Sequence, residues 1–163
     1  MFAKKVAEAQ PSDNAGLYFL AGQYPLVQVD TIKLITSQKP GRVGAEMLVL
    51  QFDILDSKVA ERPAGMRSVC QILNSNHPGA ADDAKRFVQA LYPSVSADTI
   101  DEAAIVALTS AEQPAHGRLL ALECYVKRSE KTGKDFTKHL WREVPEALQA
   151  QAKELRAKAG LSN

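Results

Sequence analysis

Residues 127–141 read KRSEKTGKDFTKHLW, and they gather six basic side chains around a Thr-Gly pair. These are Lys127, Arg128, Lys131, Lys134, Lys138 and His139, followed by the chain's single tryptophan, Trp141. Such a cluster suits a phosphate loop, a cationic surface for a nucleic-acid strand, or a solvated turn. The phosphate loop fails on spacing. A nucleotide loop needs a glycine five residues before its Gly-Lys pair, a Ser or Thr after the lysine, and then a helix. Here Arg128 stands five before Gly133, Asp135 follows Lys134, and a strand-like run comes next.

Other catalytic arrangements find no support. His77, His116 and His139 are far apart and lack Cys or acidic companions at ligand spacing, so no metal site is expected. There is no GxSxG elbow. Asp82-Asp83 reads as a helix-start pair. Asp53 and Asp56 alternate with apolar residues on a strand, where edge solubility accounts for them. With no nucleophile–base pair, an enzyme is not expected, nor is a cofactor.

Charge is distributed unevenly. The whole chain nets +1, from 20 Lys and Arg against 19 Asp and Glu. Residues 74–114 hold 2 basic and 6 acidic residues, whereas 115–142 hold 7 basic and 3 acidic. That pattern predicts a two-sided molecule with one cationic face. At 163 residues, 45% hydrophobic and 24% charged, the chain can bury one core without disulfides or metals. No apolar run approaches a membrane span, and MFAKKVAEAQPSDNAG lacks a signal-peptide core, so a cytoplasmic protein is expected. Cys70 and Cys124 sit in apolar strand-like runs and are expected to be buried, reduced thiols.

Residues 1–16 read as a flexible arm. LVQVDTIKLI (26–35) alternates with period two and predicts a strand, with Val27, Val29 and Thr31 facing away from Leu26 and Ile32. SQKPGRVG is a turn carrying Lys39 and Arg42. Strands are expected at about 45–56, with Leu48, Leu50, Phe52 and Ile54 on one face, and at 66–74. A helix with a Phe87-Val88-Leu91 stripe follows Pro78, and a second is expected at 100–109 with Thr99 and Glu102 as its capping box. Strands at 117–129 and 135–144 form a hairpin. A final helix from Pro145 carries a Leu148-Ala152-Leu155-Ala159 stripe and ends at Gly160. The order β-β-β-α-α-β-β-α predicts an α+β protein, mainly β with helices. It matches a five-stranded OB-like Greek-key barrel, with a helical insert (about 77–110) between strands 3 and 4 and a C-terminal helix. The expected division is an arm at 1–16, a binding domain at 17–145 and a helix at 146–163.

An OB barrel binds through the face of strands 2 and 3 and the loops joining strands 1–2 and 4–5. In this chain those loops are the ones carrying Lys39 and Arg42, and Lys127, Arg128, Lys131 and Lys134. Single-strand binders add aromatic faces to such a groove. Phe52 and Phe87 read as core, which leaves Tyr24, Tyr125, Phe136 and Trp141 as stacking candidates. Phe136 and Trp141 fall on opposite faces of one strand.

With its GLYFLAGQYPLVQVDTIKLITSQKPGRVGAEMLVLQFDILDS, PAGMRSVCQIL, HPGAADDAKRFVQAL and LLALECYVKRSEKTGKDFTKHLWREV segments, the chain resembles phage-type single-stranded DNA-binding proteins with an OB fold. The resemblance covers roughly residues 16–145. It implies a non-catalytic protein that coats single-stranded DNA without sequence preference, in phage replication or recombination, in the host cytoplasm. It implies replication or recombination proteins as partners, and it allows a homo-oligomer. On that reading Lys33, Lys39, Arg42, Arg67, Lys127, Arg128, Lys131, Lys134 and Lys138 meet phosphates, and Tyr125 and Trp141 stack on bases. Many such proteins end in an acidic tail, whereas this chain ends in KELRAKAGLSN. The alternative is an interaction or assembly module, with the acidic insert or the last helix's stripe as its working surface.

Overall fold

The computed structural model describes residues 18–36, 46–73, 78–131 and 133–161. The expected arm at 1–16, and the Lys39–Arg42 turn, lie outside the described residues. In chain order the elements are β1 (Gly22–Thr36), β2 (Glu46–Asp56), β3 (Arg67–Leu73), α1 (Pro78–Leu91), a 3-10 turn (Ala97–Thr99), α2 (Glu102–Leu108), β4 (Leu119–Arg128), β5 (Asp135–Arg142) and α3 (Glu146–Lys158). The strands form one sheet in the order β3-β2-β1-β4-β5, with every pairing antiparallel. The described residues are therefore α+β: an open five-stranded antiparallel sheet with three helices. β1 is its spine, bonded to β2 on one side and β4 on the other. β3 and β5 are its two edges.

Period-two alternation builds the core. Leu48, Leu50, Phe52 and Ile54 from β2, and Leu120, Leu122 and Cys124 from β4, are all buried in one cluster. α1 closes it with Phe87, Val88 and Leu91. β1 departs from the simple alternation. Its register shifts at Leu26/Val27 and Val29/Thr31, and each extra residue flips the faces that follow. Ile32 therefore joins Val27 and Val29 in the main core instead of sharing a face with Leu26. Leu26 turns to the opposite face, where it packs with Leu55, Val144 and Ala152 of α3, flanked by Leu148 and Leu155. The last helix thus docks its apolar stripe on the protein's own sheet. That leaves the alternative reading without this stripe as a partner surface.

The seam between the two sheet edges is bridged by other means. Tyr18 makes a parallel bridge to Val69 on β3. Next to it, Phe19 is buried against the rings of Tyr24 and Phe52, and it lies edge-on to His139 of β5. The Tyr24 hydroxyl locks this segment by donating to Leu20 O (2.8 Å) and accepting from Leu20 N (3.1 Å).

β4 pairs with β1 only as far as Gln28, so the loop before β4 must serve the rest of β1. Gly117 N donates to Val29 O at 2.8 Å. The Gln113 amide then acts as one rung of a missing strand, accepting from Ile32 N (2.8 Å) and donating to Ile32 O (2.9 Å). Gln113 takes a left-handed backbone (φ 47°) to do so.

Two helix starts differ from expectation. Asp101, not Thr99, caps α2, its carboxylate accepting from Ala104 N at 2.9 Å. Thr99 is already used in the 3-10 turn, where its hydroxyl donates to Ser96 O. α1 begins at Pro78, so Asp82 lies beyond its first turn and instead pairs with Arg86 at 3.2 Å.

Candidate nucleic-acid interface

β4 is two strands in one. Leu119–Cys124 alternates between half-buried and buried, whereas Tyr125–Arg128 is exposed throughout. The β4–β5 hairpin therefore projects beyond the core. Its turn is closed by Ser129 N to Lys134 O (2.9 Å) and Gly133 N to Ser129 O (2.8 Å). Gly133 sits at φ 68°, a conformation that favours glycine.

Cross-strand pairing interleaves two aromatics with two cations on the projecting part. Tyr125 lies opposite Lys138, and Phe136 opposite Lys127. By strand alternation these four share one face. Tyr125 is 38% exposed and Phe136 41%, and Val126 on the other face is 56% exposed. Lys127, Arg128, Lys131 and Lys134 are all exposed around the tip.

The cations differ in availability. Arg128 pairs with Asp135 at 3.3 Å, both exposed. Lys138 reaches across to Asp83 of α1 at 3.6 Å. Arg67 is held by two carboxylates, Asp53 at 3.0 Å and Asp30 at 3.4 Å. Lys127 and Lys131 have no ion pair among the described residues. Lys33 is exposed on β1 opposite Val49, away from the hairpin in the pairing scheme. Lys39 and Arg42 lie outside the described residues, so the structure does not place the second cationic loop.

The expected aromatic candidates separate. Tyr24 is fully buried, because its ring fills the core beside Phe19 and its hydroxyl is occupied by Leu20. It is no stacking platform. Tyr125 and Phe136 lie on the surface. Trp141 sits between the two groups: it is half-buried opposite Leu122, stacked on Phe52 (5.1 Å, 28°) and edge-on to Phe87 (5.1 Å, 66°).

Between the sheet edges, α1 and the hairpin lies an open cleft of about 730 Å³. Ile72 of β3, Ala80 of α1, and Lys127, Lys131, Phe136 and Trp141 of the hairpin are among its walls. His139 also lines it, its ring parallel to Trp141 (10°, centroids 5.8 Å apart). Burial pushes the His139 pKa down to about 4; Lys138 adds to this and Asp83 opposes it. At neutral pH His139 is therefore a flat neutral ring and no part of the cationic set. The signal that could have shown this was its i, i+2 spacing from Trp141.

Cys70 and Cys124 are buried free thiols. Desolvation raises both, Cys124 to about 12, so neither is a ready nucleophile. Among the described residues no three His, Cys, Asp or Glu side chains converge to hold a metal ion. No helix of the described residues is long and apolar enough to cross a membrane. Searches against protein-family models and against curated proteins find no match to this chain.

Proposed function

We propose that this chain is a non-catalytic single-stranded DNA-binding protein with an OB-like barrel, acting in phage DNA replication or recombination. The observation that carries the reading is the β4–β5 hairpin. It projects beyond the core and interleaves exposed Tyr125 and Phe136 with Lys127 and Lys138, with Arg128, Lys131 and Lys134 around its turn. Lys127, Arg128, Lys131 and Lys134 meet phosphates while Lys138 is held by Asp83, and aromatic faces accept any base, which suits coating without sequence preference. The strand order supports the fold part of the proposal. A central β1 paired to both β2 and β4, with a helix entering between β3 and β4, is compatible with a partly open barrel of this kind, and Phe19 and α1 reach both edges of the seam that β3 and β5 leave open.

The test is fluorescence anisotropy of a labelled oligo-dT across a salt series. Binding at low salt that weakens steeply as salt rises is the expected result, because bound cations release counterions from the strand. No binding at low salt, or binding without a salt slope, sinks the proposal.

A further inference from the structure

We infer that the cleft between the two sheet edges is a nucleobase subsite, where one base of the bound strand is lifted out and stacked beside His139 and Trp141. This rests on the single-strand reading above and specifies where a base would go. Three rings stand in a near-parallel row, with Phe52 to Trp141 at 28° and Trp141 to His139 at 10°. Phe52 is fully buried, whereas Trp141 and His139 both line the cleft, His139 with Phe19 edge-on against it. A flat π-system entering there continues a stack that the fold has already aligned, so no ring need reorient.

The rest of the cleft offers cations for the other half of a nucleotide, beside two carboxylates, Asp83, which is paired with Lys138, and Glu130. Lys127 and Lys131 lie on its hairpin side, exposed and without ion pairs among the described residues. Gly79 and Ala80 on the α1 side are small and leave room. At about 730 Å³ the cleft is of small-ligand size. β3 and β5, the edges of the sheet among the described residues, also border it. A neutral imidazole suits stacking better than a charged one, since it holds no hydration shell that must be stripped.

Trp141 is the chain's single tryptophan, so its fluorescence reports on the subsite directly. The experiment compares oligo-dT with an abasic strand of equal length, reading strand anisotropy and Trp141 emission together. The expected result is that both strands bind at low salt and only oligo-dT quenches Trp141. Oligo-dT should also bind at least about tenfold more tightly, since one stacked base alone is worth about that and the bases on Tyr125 and Phe136 add to it. His139→Ala should shrink both differences without abolishing anisotropy. Should that variant fold poorly by circular dichroism, Ala80→Leu, which narrows the cleft from the helix side, replaces it with the same expectation. Oligo-dT binding by anisotropy with Trp141 unquenched overturns the subsite and leaves the single-strand reading standing. Equal quenching by the abasic strand overturns it too. Absence of anisotropy with either strand overturns the parent reading, and the subsite falls with it.

Discussion

Replacing Lys127 and Lys131 by glutamine tests the hairpin cation by cation. For single strands, the slope of log affinity against log salt is about −0.7 per phosphate neutralised. Lys127, Arg128, Lys131 and Lys134 together set a slope of about −2.8, a loss of about 50-fold between 50 and 200 mM salt; Arg128 counts because its pair with Asp135 is well exposed on both sides and opens at little cost, unlike the less exposed Lys138–Asp83 pair. Lys127 and Lys131 have no carboxylate partner among the described residues, so they contribute in full. The double variant should halve the slope to about −1.4, a loss of only about 7-fold over the same range. Lys138→Gln is the matched control. Its ammonium already faces Asp83 at 3.6 Å, so removing it should leave the slope nearly unchanged. The substituted lysines are on the surface, where such changes cost within about 0.5 kcal/mol, and folding is not at issue. Oligo-dT anisotropy at four or five salt concentrations reads all three proteins. An unchanged slope in the double variant, or an equal drop in Lys138→Gln, would refute the assignment of phosphate contacts to the tip.

Gln113→Ala should lower stability by about 2–3 kcal/mol in urea unfolding, because it strands both backbone groups of Ile32. Gln113→Gly should lose about 1 kcal/mol less, since glycine relieves the left-handed backbone that alanine keeps. Ser68→Ala should raise stability by about 1 kcal/mol: the Ser68 hydroxyl is buried with no hydrogen-bond partner among the described residues, and a lowered urea midpoint would show that it has one. His139 gives a pH signature. Unfolded, it takes up a proton near 6.5; folded, it resists until about 4. Its contribution is thus whole above pH 6.5 and is lost as pH falls toward 4, by at most about 3 kcal/mol. His139→Phe should flatten that part of the stability–pH curve, and an unaltered curve would place the proton uptake elsewhere.

Strand positions were legible in this sequence because alternation is a local signal, and β2 to β5 follow it to within a few residues. The phase of β1 was not. Its register shifts depend on what β2 and β4 present, so Ile32 changed faces for reasons no window of residues contains. Caps were half legible: Thr99 and Asp101 are both good cap residues, and the 3-10 turn decides between them. The cationic tip could be read from composition, yet its partners could not. Arg67 meets Asp53 fourteen residues earlier, and Lys138 meets Asp83 across the sheet edge. Tyr24 precedes the first clearly alternating run, so no periodicity marked it as core, and only the fold shows its hydroxyl tied to Leu20.

The division of β4 has a consequence in time as well as in space. Its backbone amides up to Cys124 belong to the packed sheet, whereas those from Tyr125 onward are shared, among the described residues, only with β5 above the core. Hydrogen exchange along this one continuous strand should therefore proceed in two regimes. The inner half should exchange only with global unfolding, and the outer half through local opening at far lower free energy. The boundary falls at Cys124 and its cross-strand partner His139, so the hairpin can yield to an incoming strand while the sheet beneath it stays shut.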